Sequence, residues 1–350
     1  MIFPNRTNTV ISNAYSINRR ISLLIISGWY CLTLIGHGQV NTISQQDVQN
    51  HSMKYVGQFP PGISRKENLI GKLGNIIAGS APVILSKPVS VVARDTDNMY
   101  ILSQGNGIVI RSENGELIVP QVIRRKKIVF PSLVGVTQID NEFVLFTDSR
   151  QNKIFRLSAD GKEIMEFNDT LVLYQPTGIA YSKIKNEIWV AETGAHRISV
   201  FDMSGKLLKR IGRRGTGEGE FNYPTNIWID REGFAYIVDA LNCRVVILDR
   251  NGKFISSFGK SGDATGYLAR PKGIATDSYG NIYVSDALFN AVQVFDRSGR
   301  LLYYFGSQGQ GREQFWMPSG IYIDSENFIY IADSYNMRIQ IYHLTNGGKK

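Results

Sequence analysis

Five carboxylates recur at one place in this chain: Asp148, Glu192, Asp239, Asp286 and Asp333 each close a short run of β-type residues, and Ser103 stands in a sixth copy. Acids in such numbers raise the possibility of metal binding or proton transfer, but both chemistries need two or three groups within reach of one substrate. One acid per repeat does not meet that requirement. The spacing suits a local task instead, in which each acid accepts hydrogen bonds from its own turn. It then pairs with a basic residue five positions on, as Asp239 with Arg244 and Asp333 with Arg338. The four histidines, His37, His51, His196 and His343, are isolated from one another and cannot assemble a zinc site. His196 and His343 are read as ordinary surface residues. No catalytic residue, metal ligand or cofactor is assigned.

The elements that position these residues come from a self-comparison of the chain. Pro271-Lys272-Gly273-Ile274-Ala275-Thr276-Asp277 has counterparts beginning at Pro318, Pro224 and Pro176, and degraded ones at Pro88 and Pro131. The intervals, 43, 45, 48, 47 and 47 residues, have the length of a propeller blade. Within each copy, short alternating or β-branched runs are separated by Asp/Asn-Gly turn signals, and no 3.6-residue period is sustained. The pattern predicts an all-β six-bladed β-propeller of four-stranded antiparallel blades. One such sheet has two apolar faces and is stable only when stacked radially on its neighbours. The last copy ends at Ile341-Tyr342-His343 with too few residues left for an outer strand, so closure by an N-terminal strand is expected. Residues 68–79 are predicted to supply it.

Pro271 to Asp277, Tyr283-Val284-Ser285-Asp286, Val292-Gln293-Val294-Phe295-Asp296 and Phe305-Gly306 resemble the NHL repeat, and Asn242-Cys243-Arg244 and Asn336-Met337-Arg338 add that family's Asn and Arg. The resemblance spans roughly residues 80 to 345 and implies the six-bladed fold. It leaves function open, because NHL propellers include RNA-binding modules, sensor domains, protein-interaction platforms and amidating lyases. A lyase-like site would require several histidines that this chain lacks. A lactonase-like site would need calcium at the channel mouth, and one channel-facing polar residue, Asn226, does not make it, although a channel-bound calcium stays open. Gly215-Thr216-Gly217-Glu218-Gly219 lacks the Gly-Lys-Ser/Thr ending of a phosphate loop and reads as an inter-blade connection.

The net charge of +9 invites an RNA-binding reading, yet many acidic residues offset the basic ones, and the densest basic runs, Arg124 to Lys127 and Lys209 to Arg214, fall on outer connections. Compartment argues the same way. Ile21 to Ile35 is an uncharged apolar run preceded by Arg19-Arg20 and followed by Gly36-His37-Gly38, so residues 1–38 read as a signal peptide or a signal anchor. Residues 39–52 read as a polar linker, residues 53–346 as the propeller and residues 347–350 as a basic tail. Cys31 and Cys243 permit no disulfide within the mature body. An extracytoplasmic chain, periplasmic or secreted and either cleaved after or anchored by residues 21–35, is expected to be a monomer that meets a protein or cell-envelope component, not nucleic acid. Alternative readings are a propeller hydrolase or lyase with a channel-mouth site, and an RNA-binding propeller. Ligand positions break the repeat, whereas structural positions keep it. On that ground Asn222, Tyr223, Asn226, Tyr267, Lys272, Phe289, Trp316 and Tyr335 are the candidate binding residues.

Overall fold

The computed structural model describes residues 51–61, 84–113, 115–119, 122–123, 126–140, 142–168 and 173–346. The chain divides into two units, Met1–Asn41 and Thr42–Lys350, and all described residues lie in the second. Blade five shows the construction. Strands Pro271–Thr276, Ile282–Asp286, Ala291–Phe295 and Leu301–Phe305 follow one another in an antiparallel meander. The turns are built by aspartate: Asp277 Oδ1 accepts the backbone N–H of Tyr279 and Asn281, and Asp296 Oδ1 those of Ser298 and Arg300. The glycine in each turn, Gly280 and Gly299, takes the positive φ that the reversal requires.

Six such sheets form a ring. Their inner strands are Pro88–Ala93, Leu133–Ile139, Pro176–Ser182, Pro224–Ile229, Pro271–Thr276 and Pro318–Ile323, each packed on the next, with the last against the first. In the second blade Leu133, not Pro131, pairs with the end of the second strand, so Leu133 occupies the proline register. The displacement follows a small hairpin, Val122–Ile123 paired with Lys126–Lys127, inserted ahead of this blade. Neighbouring inner strands come so close that a side chain added at Gly178 would stand 2.5 Å from Asn226 Cα.

Among the described residues the core is six separate apolar layers, one between each pair of blades. Trp189, Val200, Phe221, Ile237 and Leu248 fill the junction of blades three and four, for example. Each sheet thus buries both faces, which alternating and continuous apolar runs in the same short strands require.

The sixth blade has strands Pro318–Ile323, Phe328–Asp333 and Arg338–Asn346, and its fourth is His51–Phe59 from the start of the ring. An N-terminal strand therefore closes the ring, but the segment differs from the expected one. Residues 51–59 hold the outer position, and residues 68–79 lie outside the described residues. The ladder runs from Phe59 opposite Ile339, near the Asp333 turn, to His51 opposite Asn346 at the other end of the blade. A bulge between Tyr55 and Gly57 turns Val56 outward and keeps Tyr55 against Tyr342, ring centroids 5.6 Å apart. Phe59 is buried between blades six and one with Leu85, Met99, Tyr330 and Ile341. Replacing Phe59 with Ala is expected to cost about 3–5 kcal/mol, and deleting residues 51–59 to abolish cooperative unfolding. Urea denaturation followed by tyrosine and tryptophan fluorescence checks both.

Candidate binding face at the channel mouth

One edge of every sheet gathers the start of the inner strand and the turn between the second and third strands. Backbone bonds fix this arrangement: Leu241 N donates to Asn222 O, Ala287 N to Arg270 O, and Tyr335 N to Trp316 O, at 3.0 to 3.1 Å. Together these edges form one mouth of the central channel.

The carboxylates of this tier are all fully buried. Asp239 accepts Asn222 N at 2.6 Å, Asn242 Nδ2 at 2.7 Å and Arg244 Nε at 2.8 Å. Asp333 accepts Trp316 N, Asn336 Nδ2, Arg338 Nε and Gln340 Nε2. Glu192 takes Tyr174 N, both Arg197 bonds and Ser199 Oγ. Burial works against its charge, but these donors outweigh it and hold its pKa below the ordinary value. The fifth residue after Asp148 is Lys153, which pairs with Glu166, and after Asp286 it is Ala291, so both acids are held by backbone N–H groups instead, four of them at Asp286. Ser103 serves the same turn through Ser86. These acids are therefore structural, and among the described residues no three His, Cys, Asp or Glu side chains could hold a metal ion.

A second device ties blades together at five of the six junctions among the described residues. Thr147 Oγ1 donates to Thr177 O, Thr193 Oγ1 to Pro224 O, Asn226 Nδ2 to Lys272 O, Ser285 Oγ to Ser319 O and Ser334 Oγ to Pro88 O. Asn226 thus lines the channel, as expected, and also joins blades four and five. It does so because Ala240 occupies the place where Thr193 and Ser334 carry their bridging hydroxyls. For the same reason Thr225 Oγ1 is buried without a partner, while its counterpart Thr177 Oγ1 meets Thr193 Oγ1 at 2.6 Å.

His196 is not the surface residue expected. It is 8% exposed, and its Nδ1 accepts Tyr223 N at 3.2 Å, where Asn152 and Asn290 accept Gln175 N and Met317 N. Nor is His343 free: it stacks on Phe328 with centroids 4.1 Å apart and sits 3.2 Å from Glu326 O. The Gly215 to Gly219 loop is clasped by Arg244, which donates to Thr216 O and Gly217 O, and by Glu220, which accepts Gly217 N. It is an inter-blade connection, not a phosphate cradle.

With its acids buried, the mouth shows apolar and basic groups. Trp316 is 41% exposed and Tyr335 47%, their rings 5.6 Å apart; Tyr223 is also exposed, edge-on to His196. Asn222, Lys272 and Phe289 are half-buried in the same tier. Of the eight candidates, Tyr267 stands apart, exposed on the Lys260 to Arg270 loop where Gln293 Nε2 holds its carbonyl at 2.7 Å. Sequence reasoning missed Tyr174, Leu241, Leu288 and Met337, all more than half exposed. For Leu241 and Leu288 the signal was present, since each stands two residues after a repeated acid, as the candidate Tyr335 does. Beneath the mouth all six inner strands line a cavity of about 180 Å³, whose far end is crossed by Trp228 and Tyr322, ring centroids 5.6 Å apart. The same pair also borders a cavity at the opposite end of the channel.

Comparison with known proteins agrees with the fold. Residues 164–257 match a family described as a 6-bladed beta-propeller, and residues 315–342 match the NHL repeat. Virginiamycin B lyase from Staphylococcus aureus superposes with a TM-score of 0.54 at 18% identity, covering 75% of this chain and 97% of that one. An auxiliary nutrient binding protein from Bacteroides thetaiotaomicron gives a TM-score of 0.59 at 13% identity, covering 75% and 70%. Another from Bacteroides ovatus gives 0.58 at 13%, covering 87% and 82%. Identities this low establish a shared fold alone.

Two outcomes follow from the mouth's hydrogen bonds. Ala240→Ser restores a bridging hydroxyl beside Thr225 and should raise unfolding free energy by about 1 kcal/mol in urea titration. His196 must keep Nδ1 unprotonated to accept its bond, and burial, then the charge of Arg214, lowers its pKa, with Asp239 opposing. Its unfolded form binds the proton more tightly, so stability is full above the ordinary 6.5 and is lost as pH falls from there through the lower folded pKa. His196→Asn keeps an acceptor, and its melting temperature should lose this acid-side decline relative to the parent.

Proposed function

We propose that this six-bladed NHL propeller is an exported, non-enzymatic binding platform that presents its mouth face to a protein or cell-envelope component. The observation that carries the reading is the division of labour at that face. Every acid of the tier is buried in its own turn, while Trp316, Tyr335, Tyr223 and Leu288 stand outward beside exposed Lys87, Arg150 and Arg270. Exposed aromatic groups with nearby cations, on backbone held rigid from beneath, make a surface suited to recognition. Export is inferred from the apolar run Ile21 to Ile35 behind Arg19-Arg20. Among the described residues no helix is long and apolar enough to cross a membrane.

In-cell crosslinking of a C-terminally tagged chain tests the reading. The expected bait lacks the residues before about Gln39, or sits in the membrane fraction with them, and carries envelope components. Combined Tyr223→Ala, Trp316→Ala and Tyr335→Ala replacement should weaken that capture at least about tenfold, as loss of hot-spot aromatics does, and leave the melting temperature within a few degrees. A full-length cytosolic bait attached to RNA would overturn export and platform together.

A further inference from the structure

Lys272 is the one charged residue in its register position on the inner strands; the others are Val89, Val134, Thr177, Thr225 and Ser319. Its side chain is half-buried, and its ammonium has no carboxylate or hydrogen-bond acceptor among the described residues. Burial, then the charges of Arg270 and Lys87, lowers its pKa. Lys87 belongs to blade one and Lys272 to blade five, on either side of blade six at the same mouth, and the charge of Lys87 acts on Lys272. Lys87 Nζ lies 5.5 Å from the centre of the Tyr335 ring, which leans on Trp316. An ammonium withdrawn from water among like charges is costly, and a ligand that brings the anion removes that cost.

Behind the cations the cavity of about 180 Å³ is walled in part by Ser90, Thr137, Gln138, Tyr181 and Asn226, a set of hydroxyls and amides. A space of that size and polarity takes a small hydroxylated ring and not a folded protein segment. We propose that the mouth is a site for an acidic saccharide, its carboxylate among Lys272, Lys87 and Arg270, its ring against Trp316 and Tyr335, and its hydroxyls toward the channel wall. This rests on the binding-platform reading and names the ligand class for the same face.

Calorimetric titration of the full chain tests it with three probes: trigalacturonate, its fully methyl-esterified form, and hexaglutamate. Trigalacturonate should bind, with affinity falling as salt is added. The ester should bind at least about tenfold more weakly, and Lys272→Met should weaken the acid to the level of the ester, each tenfold being the loss of one charge-assisted contact. Lys272→Met removes an unpaired charge and should melt no lower than the parent, so a loss of binding is not a loss of fold. Equal binding of acid and ester, indifference to Lys272→Met, binding of none of the probes, or tighter Lys272-dependent binding of hexaglutamate each overturns the proposal. Envelope capture that still depends on Trp316 and Tyr335 in those cases leaves the platform reading standing. If capture is lost as well, both readings fail.

Discussion

A four-stranded sheet with two apolar faces is unstable in water until both faces are covered, and a ring covers the last face only when it closes. Closure here depends on one long-range ladder, His51–Phe59 against Arg338–Asn346, which brings together chain segments nearly three hundred residues apart. Loop-closure entropy opposes that pairing, and the gain arrives at the junction of blades six and one, where Phe59 meets Tyr330 and Ile341. The other five layers join sequence neighbours and need no such reach. Every position at the mouth depends on that ladder, because an open ring has no common axis.

Local polar chemistry then fixes what closure leaves free. Each buried carboxylate saturates the N–H groups of a turn that would otherwise be buried without partners, and Arg244 and Arg338 extend the same network into the outer loops. Four hydroxyls at or next to the ends of second strands, and one inner-strand amide, bind a blade to the inner strand of the next at five junctions among the described residues. Because these groups are consumed in holding the scaffold, the exposed chemistry of the mouth is left to aromatic side chains and cations.

Period, blade architecture and the need for an upstream strand were legible because each is written in repeated spacing. The Asp–Arg pairing five residues apart was legible for Asp239 and Asp333 and failed for Asp148 and Asp286, where the fifth residue on is Lys153, drawn away to Glu166, or Ala291. The closing segment was misplaced because long-range pairing leaves little local trace. Met53, Tyr55 and Phe59 sit among polar residues and across a bulge, which hides their alternation. His196 was misread because its role depends on a backbone N–H of the next blade, a partner that no spacing within its own repeat reveals. Candidate residues gathered better than their roles did: most share the mouth, but Asn226 also bridges two blades, and Tyr267 belongs to an outer loop.

The direction of the closing ladder orients the molecule. Phe59 and Ile339 lie toward the mouth, whereas His51 and Asn346 meet at the opposite edge of blade six. The first and last of the described residues therefore lie together on the edge of blade six away from Trp316. The aromatic and basic rim is thereby left clear of both of those residues.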